Sequence, residues 1–302
     1  MTAPAREKVR LPRLRHRSPV SWLLVVPALA LLLAVHFAPQ VFGGWYAFTD
    51  WNGIDISPRW VGVDNFRRLF DDDASRTAFY NTLKLAGSMV VLVNVLGLAL
   101  ALSLDRQLKT RHFLRALFFA PVVMSPLAVS FIWQYVFDFN GGLNRLLAWI
   151  GLDGWTRPWL GDPGWALWTI LVVLVWQYSG LAMIIYLAGL QSIPEELYEA
   201  SAVDGASTWF MFRTLTLPLL APAVTINATL MLIFGLRVFD QVLGLTGGGP
   251  VNASETLATQ VWKQTFQNGQ YGYGAALALV LAALIATLAI TQALVLRRRE
   301  VA

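Results

Sequence analysis

The sequence of 302 residues contains no cysteine, which excludes disulfides, thiolate metal sites and thiol chemistry. Charge is scarce too: Asp, Glu, Lys and Arg make up 14% of the chain, against about a quarter in a soluble domain. So little polar material does not cover a water-facing surface, and the chain reads as an integral membrane protein. Histidine is rare: His16, His36 and His112 are far apart and lack metal-ligand spacing, so no metal site is expected. No G-x-x-x-x-G-K-[ST] phosphate loop is present. No Ser/His/Asp set or pair of intramembrane carboxylates stands out, so no catalytic residue is expected and the chain does not read as an enzyme.

What is abundant is apolar sequence, 56% of the residues. Six runs, 20–42, 82–104, 114–137, 165–190, 219–243 and 275–296, reach the ~20 residues that a helix needs to cross a bilayer. The expectation is an all-α membrane protein with six transmembrane helices. It is divided into a basic arm (1–19), a six-helix domain (20–296) and a short basic tail (297–302). The first run lacks a cleavage site and reads as an anchor.

Lys and Arg concentrate in the arm, in the 105–115 connection and in the tail, which six spans bring to one side. The charge bias makes that side the cytoplasm, with both termini there, and argues against nucleic acid as the basic partner. The opposite connections, 43–81, 138–164 and 244–274, hold most of an expected tryptophan belt. The stretch 65–79 reads as an amphipathic helix lying on the bundle or at the membrane interface.

One cytoplasmic connection breaks the charge rule. Residues 191–218 carry Glu195, Glu196, Glu199 and Asp204 against the single base Arg213. Ser192 with Glu195 has capping-box spacing, which predicts a helix start there. Ala200, Ser201 and Ala202 offer a small surface, and Gly205 suits a left-handed helix end. A second short helix is predicted over 206–214, and Pro218 marks entry to the fifth run. An acidic helix where basic residues are the norm suggests docking into a basic cleft on a cytoplasmic partner.

These residues carry a resemblance. Glu199-Ala200-Ser201, Gly205 and Leu215-Thr216-Leu217-Pro218 keep the spacing of the E-A-A, three residues, G, nine residues, I-x-L-P signature of permease subunits of binding-protein-dependent ABC importers. Ser201 and Leu215 depart from it conservatively. Gly62–Phe66, Asn81-Thr82-Leu83, Phe239-Asp240 and Leu245–Pro250 look like the carbohydrate branch, of the maltose and glycerol-phosphate permease type. The resemblance implies a type I importer architecture in the plasma (inner) membrane. It implies a second homologous permease subunit, two copies of a cytoplasmic ATPase subunit that bind the ATP and Mg, and an extracytoplasmic solute-binding protein. It makes 191–218 the ATPase-coupling loop, with Glu195, Glu196, Glu199, Ala200, Ser201, Asp204, Gly205, Leu217 and Pro218 as its contact set. Gly247, Gly248, Gly249 and Pro250 become a turn at the outer face or part of the surface that meets the binding protein.

Polar groups inside apolar runs are costly and therefore informative. Arg237 and Asp240, three apart in the fifth run, either pair with one another or face the solute path. Gln177, Tyr178, Phe234 and Phe239 join them as pathway candidates, because sugars are held by aromatic faces and hydrogen-bonding amides. Asn94 and Asn227 are further candidates, with helix–helix hydrogen bonding as the plain alternative. The competing function is an ion-coupled secondary transporter, for which Asp240 is the one suitable carboxylate.

Overall fold

The computed structural model describes residues 20–105 and 109–297, the side chains of 20–24 excepted. The basic arm, Arg106 and the tail beyond Arg297 lie outside the described residues. The chain divides into two units, Met1–Trp45 and Tyr46–Ala302. In the first, helix α1 starts as Val20–Leu32, widens into a π turn over Leu33–Phe37 and continues into Ala38–Tyr46. The wide turn sits just before Pro39, whose missing N–H interrupts the ordinary helical ladder.

The second unit begins with a cap on the tryptophan-rich end, where an isolated bridge joins Thr49 to Trp60. Helices α2 (Asp64–Asp71) and α3 (Asp73–Leu104) follow. After them come α4 (Arg111–Val123), α5 (Pro126–Phe137), α6 (Gly142–Trp149) and α7 (Ala166–Gln191). The acidic connection forms α8 (Glu195–Val203) and α9 (Thr208–Leu219). The rest comprises α10 (Ala221–Leu236), α11 (Asp240–Leu245), α12 (Leu257–Trp262) and α13 (Tyr271–Arg297).

Four spans are unbroken, and two more are bent pairs: the α4 run turns by 101° into α5, and α9 turns by 66° into α10. Proline explains both. Pro126 forces Ser125 out of the helical region, to ψ 133°, so α4 stops. Pro222 has no N–H for the helical ladder, which permits the break at Leu220.

Three boundaries differ from expectation. Helix α3 starts nine residues before 82, because the Asp72 carboxylate caps it by accepting from the Ser75 N–H and hydroxyl. The amphipathic 65–79 stretch is thereby split; its first part, α2, lies on the bundle with Leu69 buried among Leu257, Tyr273 and Leu277. The fifth run ends as a helix at Leu236 and not at 243.

The interior is apolar and so is much of the exterior, as expected where lipid is the solvent. Along α3, Met89 and Val93 are buried while Val91, Leu92 and Val95 are exposed. Small residues let helices approach closely: Gly97 of α3 faces Ala182 of α7 with no room for a side chain between them. One core cluster joins α3, α5, α7, α10 and α11 around Met89, Leu174, Met231 and Val242. A second, at the acidic end, joins Ala101, Leu104, Tyr186, Leu190, Ile193 and Leu220.

Candidate functional site

Helix α8 is held at its edges and open on its face. Ile193 enters the acidic-end core cluster, and the Tyr198 hydroxyl meets Thr216 Oγ1 at 3.0 Å. Glu195, Glu196, Glu199, Ala200, Asp204 and Gly205 are all exposed, and Ser201 is half-buried. Glu195 and Glu196 lie in the first turn, where the helix dipole favours negative charge. Leu197, Val203, Trp209 and Phe210 are exposed beside them, Val203 at 88%. A rim of carboxylates around exposed apolar side chains is the composition of a protein-docking face.

The predicted capping box is corrected. Pro194 occupies the N-cap of α8 and makes no side-chain cap, while the Ser192 hydroxyl donates to the Gly189 carbonyl and closes α7 instead. Gly205 does end α8 in the left-handed region, at φ 77°. Nothing lies near where its side chain would be, so glycine is required there by backbone conformation and not by space. The second helix continues past 214 as a π turn over Phe212–Thr216. Leu217 and Pro218 sit on α9, away from the carboxylates, and line a groove with Asn94 and Tyr186.

The second constellation lies at mid-depth. Gln177 is the twelfth of the 26 residues of α7, near the middle of that span, and is 1% exposed. Its Oε1 accepts from Gln241 Nε2 at 2.9 Å, and its Nε2 makes a long contact, 3.5 Å, to the Met124 carbonyl. Met124 belongs to the α4–α5 break and Gln241 to the first turn of α11, just past the α10–α11 break. One buried amide therefore bridges two helix interruptions. Beside it the Tyr178 and Phe234 rings lie 5.3 Å apart. Met124 and Ser125 are exposed. Non-helical backbone at membrane depth is not tolerated against lipid, so this break must face protein or a water-filled cavity.

Arg237 and Asp240 are not neighbours on one helix: α10 ends at Leu236, and among the described residues neither forms an ion pair. Arg237 is exposed, and Phe239 and Asp240 are half-buried, with the Phe239 ring 6.2 Å from that of Trp262. Asn94 accepts from the Tyr186 hydroxyl, which ties α3 to α7, and Asn227 is fully buried.

At the tryptophan-rich end, Gly247 is exposed, Gly249 and Pro250 are half-buried and Gly248 is buried. Gly248 has φ 87° and lies against the Glu255 carboxylate, leaving no room for a side chain. Glu255 is itself fully buried and ion-paired with Lys263. The segment is tied down from both sides: Asn81 Nδ2 donates to the Ala253 and Glu255 carbonyls (2.9 and 3.1 Å), and the Leu257 N–H donates to Thr82 Oγ1 (2.9 Å). Sequence reasoning noticed Asn81 and Thr82 but missed Gln241, Glu255 and Lys263. Gln241 was within reach, since it follows a polar residue in an apolar run. The Glu255–Lys263 pair was hidden in a connection that reads as solvent-exposed.

Residues 93–301 match the family described as binding-protein-dependent transport system inner membrane component. The chain belongs to that family. It is 34% identical over 280 residues to a probable starch degradation products transport system permease protein of Thermoanaerobacterium thermosulfurigenes, covering 93% of this chain and 94% of that one. It is 35% identical over 280 residues to a multiple sugar-binding transport system permease protein of Streptococcus mutans, covering 93% and 96%. In fold it superposes on a chain from a bacterial ABC transporter that imports the acidic polysaccharide alginate. The TM-score is 0.81 at 24% identity, over 92% of this chain and 95% of that one. The fold is thus the all-α type I importer permease, and the chain is a multi-pass, non-enzymatic membrane subunit of an ATP-driven, binding-protein-dependent importer. The ion-coupled alternative falls with that assignment, and Asp240 loses its role as a coupling carboxylate.

Proposed function

We propose that this chain forms half of the translocation pathway for a sugar or related polyol. The observation that carries the reading is the mid-depth centre, where Gln177 joins two broken helices beside the Tyr178–Phe234 ring pair. Amides and aromatic faces at the midplane suit a polyhydroxylated solute. The exposed Met124–Ser125 break supports a second, homologous permease subunit completing the path, since lipid is not an acceptable neighbour there. Arg237, Phe239 and Asp240 line the path above this centre. Relatives named for starch products and multiple sugars support the solute class.

The α8 face docks one of two copies of a cytoplasmic ATPase subunit, which hold the ATP and Mg. Both termini of the chain are cytoplasmic, as the charge bias requires. ATP-driven closure of the ATPase pair moves α8, and the second core cluster passes that motion to α3 and α7 as rigid-body rocking. An extracytoplasmic solute-binding protein delivers the sugar at the opposite, tryptophan-rich end, where Gly247, Gly249 and Pro250 are accessible. A related alginate importer has been seen with its periplasmic protein bound to an alginate pentasaccharide.

The test is sugar import by the complex purified from native membranes and reconstituted with its binding protein. Gln177→Ala should lower import at least about tenfold while the subunits still co-purify, a loss of binding energy on the scale of one hydrogen-bonded amide. Unchanged import would remove Gln177 from the pathway.

A further inference from the structure

A cavity of about 470 Å³ opens at the tryptophan-rich end, between the end of α5 and the 246–250 turn. Gln134, Phe137, Asp138, Phe139, Thr246 and Gly249 contribute to its wall. Its size lies within the range of small-molecule sites. Phe139 is 57% exposed and Phe137 is buried, so one ring face is presented and the other supports the wall. Asp138 uses Oδ1 to accept from the Asn140 N–H at 2.8 Å. Its Oδ2 has no protein donor among the described residues. A ring face, an amide and an acceptor carboxylate are the groups that hold a sugar ring and its hydroxyls.

The position of the cavity adds a second argument. Helix α11 runs from Gln241, in the mid-depth centre, to Leu245 and Thr246 at the cavity, a rise of about 6 to 8 Å. Helix α5 likewise leads from the Met124 break to Gln134 and Phe137. The two helices are pressed together where Gly244 meets Ser130 and Leu127. The same pair of helices therefore supports both the mid-depth centre and the cavity.

We infer that this cavity is an outer subsite for neutral oligosaccharides, holding one sugar unit of a chain that extends along the path toward the Gln177–Gln241 centre. The inference rests on the carbohydrate reading above and narrows it from sugars in general to linked sugars. The Asp138 carboxylate disfavours a uronate at the same place, by like-charge repulsion.

The test uses the reconstituted complex with saturating binding protein and two probe pairs, maltose with maltotriose and xylobiose with xylotriose. Phe139→Ala and Asp138→Asn should each cut trisaccharide import about tenfold and leave disaccharide import within about twofold, the scale of one lost stacking or charge-assisted contact. The binding-protein concentration giving half-maximal ATPase stimulation should not move. A rise in that concentration, with both sugar lengths losing import equally, would make the cavity a socket for the binding protein. Unchanged trisaccharide import, or a wild-type complex importing only the disaccharides, would overturn the subsite.

Discussion

The mid-depth centre and the α8 connection are both built on helix interruptions, and they solve opposite problems. At mid-depth, backbone released by two breaks sits where water is scarce, so a buried glutamine spans them and aromatic rings close around it. At the acidic end, α8 keeps its carboxylates and apolar side chains outward and is retained by Ile193 and the Tyr198–Thr216 contact. The first region pairs its own buried amides and leaves the Met124–Ser125 backbone for a neighbouring subunit to cover; the second leaves a whole helix face open. A subunit that turns a distant ATPase motion into a change of pathway needs both, a preorganised centre and an open handle joined by one continuous core.

Breaking the centre should have the largest effect. Gln177→Leu leaves the buried Gln241 amide without its acceptor and removes the contact to Met124, which costs about 1–3 kcal/mol per unsatisfied group. Thermal unfolding of the purified complex should shift downward and import should fall to background. Breaking the handle should separate the two regions functionally. Gly205→Val forces a branched residue to φ 77°, a strain of about 1–2 kcal/mol. Insertion and the mid-depth geometry should be unaffected, while import falls and ATP hydrolysis no longer responds to loaded binding protein. ATPase and transport assays on the same preparation read this directly; full coupling in Gly205→Val would end the assignment.

The local structure of α8 was largely legible in sequence. Its charge inverts the rule for cytoplasmic connections, and Gly205 announces a left-handed turn, so local chemistry sufficed. Ser192 misled because a capping pattern does not say which of two adjacent helix ends the hydroxyl will serve. The centre was legible only in part. Gln177, Tyr178 and Phe234 stood out as polar or aromatic residues in apolar runs. The apparent Arg237–Asp240 pair assumed a continuous helix, whereas Arg237, Val238 and Phe239 form the turn between α10 and α11. Pro126 marks the stop after Val123, but hydropathy reads 114–137 as one straight run and does not encode the 101° angle. The Glu255–Lys263 pair sits in a segment whose Ala253 and Glu255 carbonyls accept from the distant Asn81, a long-range contact that local sequence does not announce.

Two smaller changes sharpen the contrast. Tyr198→Phe removes one of the ties of α8 to α9, worth about 1 kcal/mol. ATPase stimulation should fall by a few fold, with no change in solute selectivity. Asp50 tests the cap at the other end. The Arg59 N–H, at 2.7 Å, and then the Arg59 guanidinium, at 2.9 Å, hold the Asp50 carboxyl below its usual range. Because the folded value is depressed, the clasp is fully formed above the ordinary carboxylate range and is lost as pH falls through the lowered value. The protection of the Arg59 and Val61 amides against hydrogen exchange, relative to their intrinsic rate at each pH, should fall in acid in the wild type. Asp50→Asn should exchange faster at neutral pH and show no further acid step.

The absence of native cysteine permits the most direct test. Ala200→Cys places a single thiol on the exposed face of α8, and the importer is purified from its own membranes with its partner subunits. A short bifunctional cross-linker that bridges a thiol to nearby amines should join this chain to the ATP-hydrolysing subunit, with a yield that changes when ATP is bound. A cross-link to any other subunit, or none while the complex remains intact, would contradict the role assigned to α8.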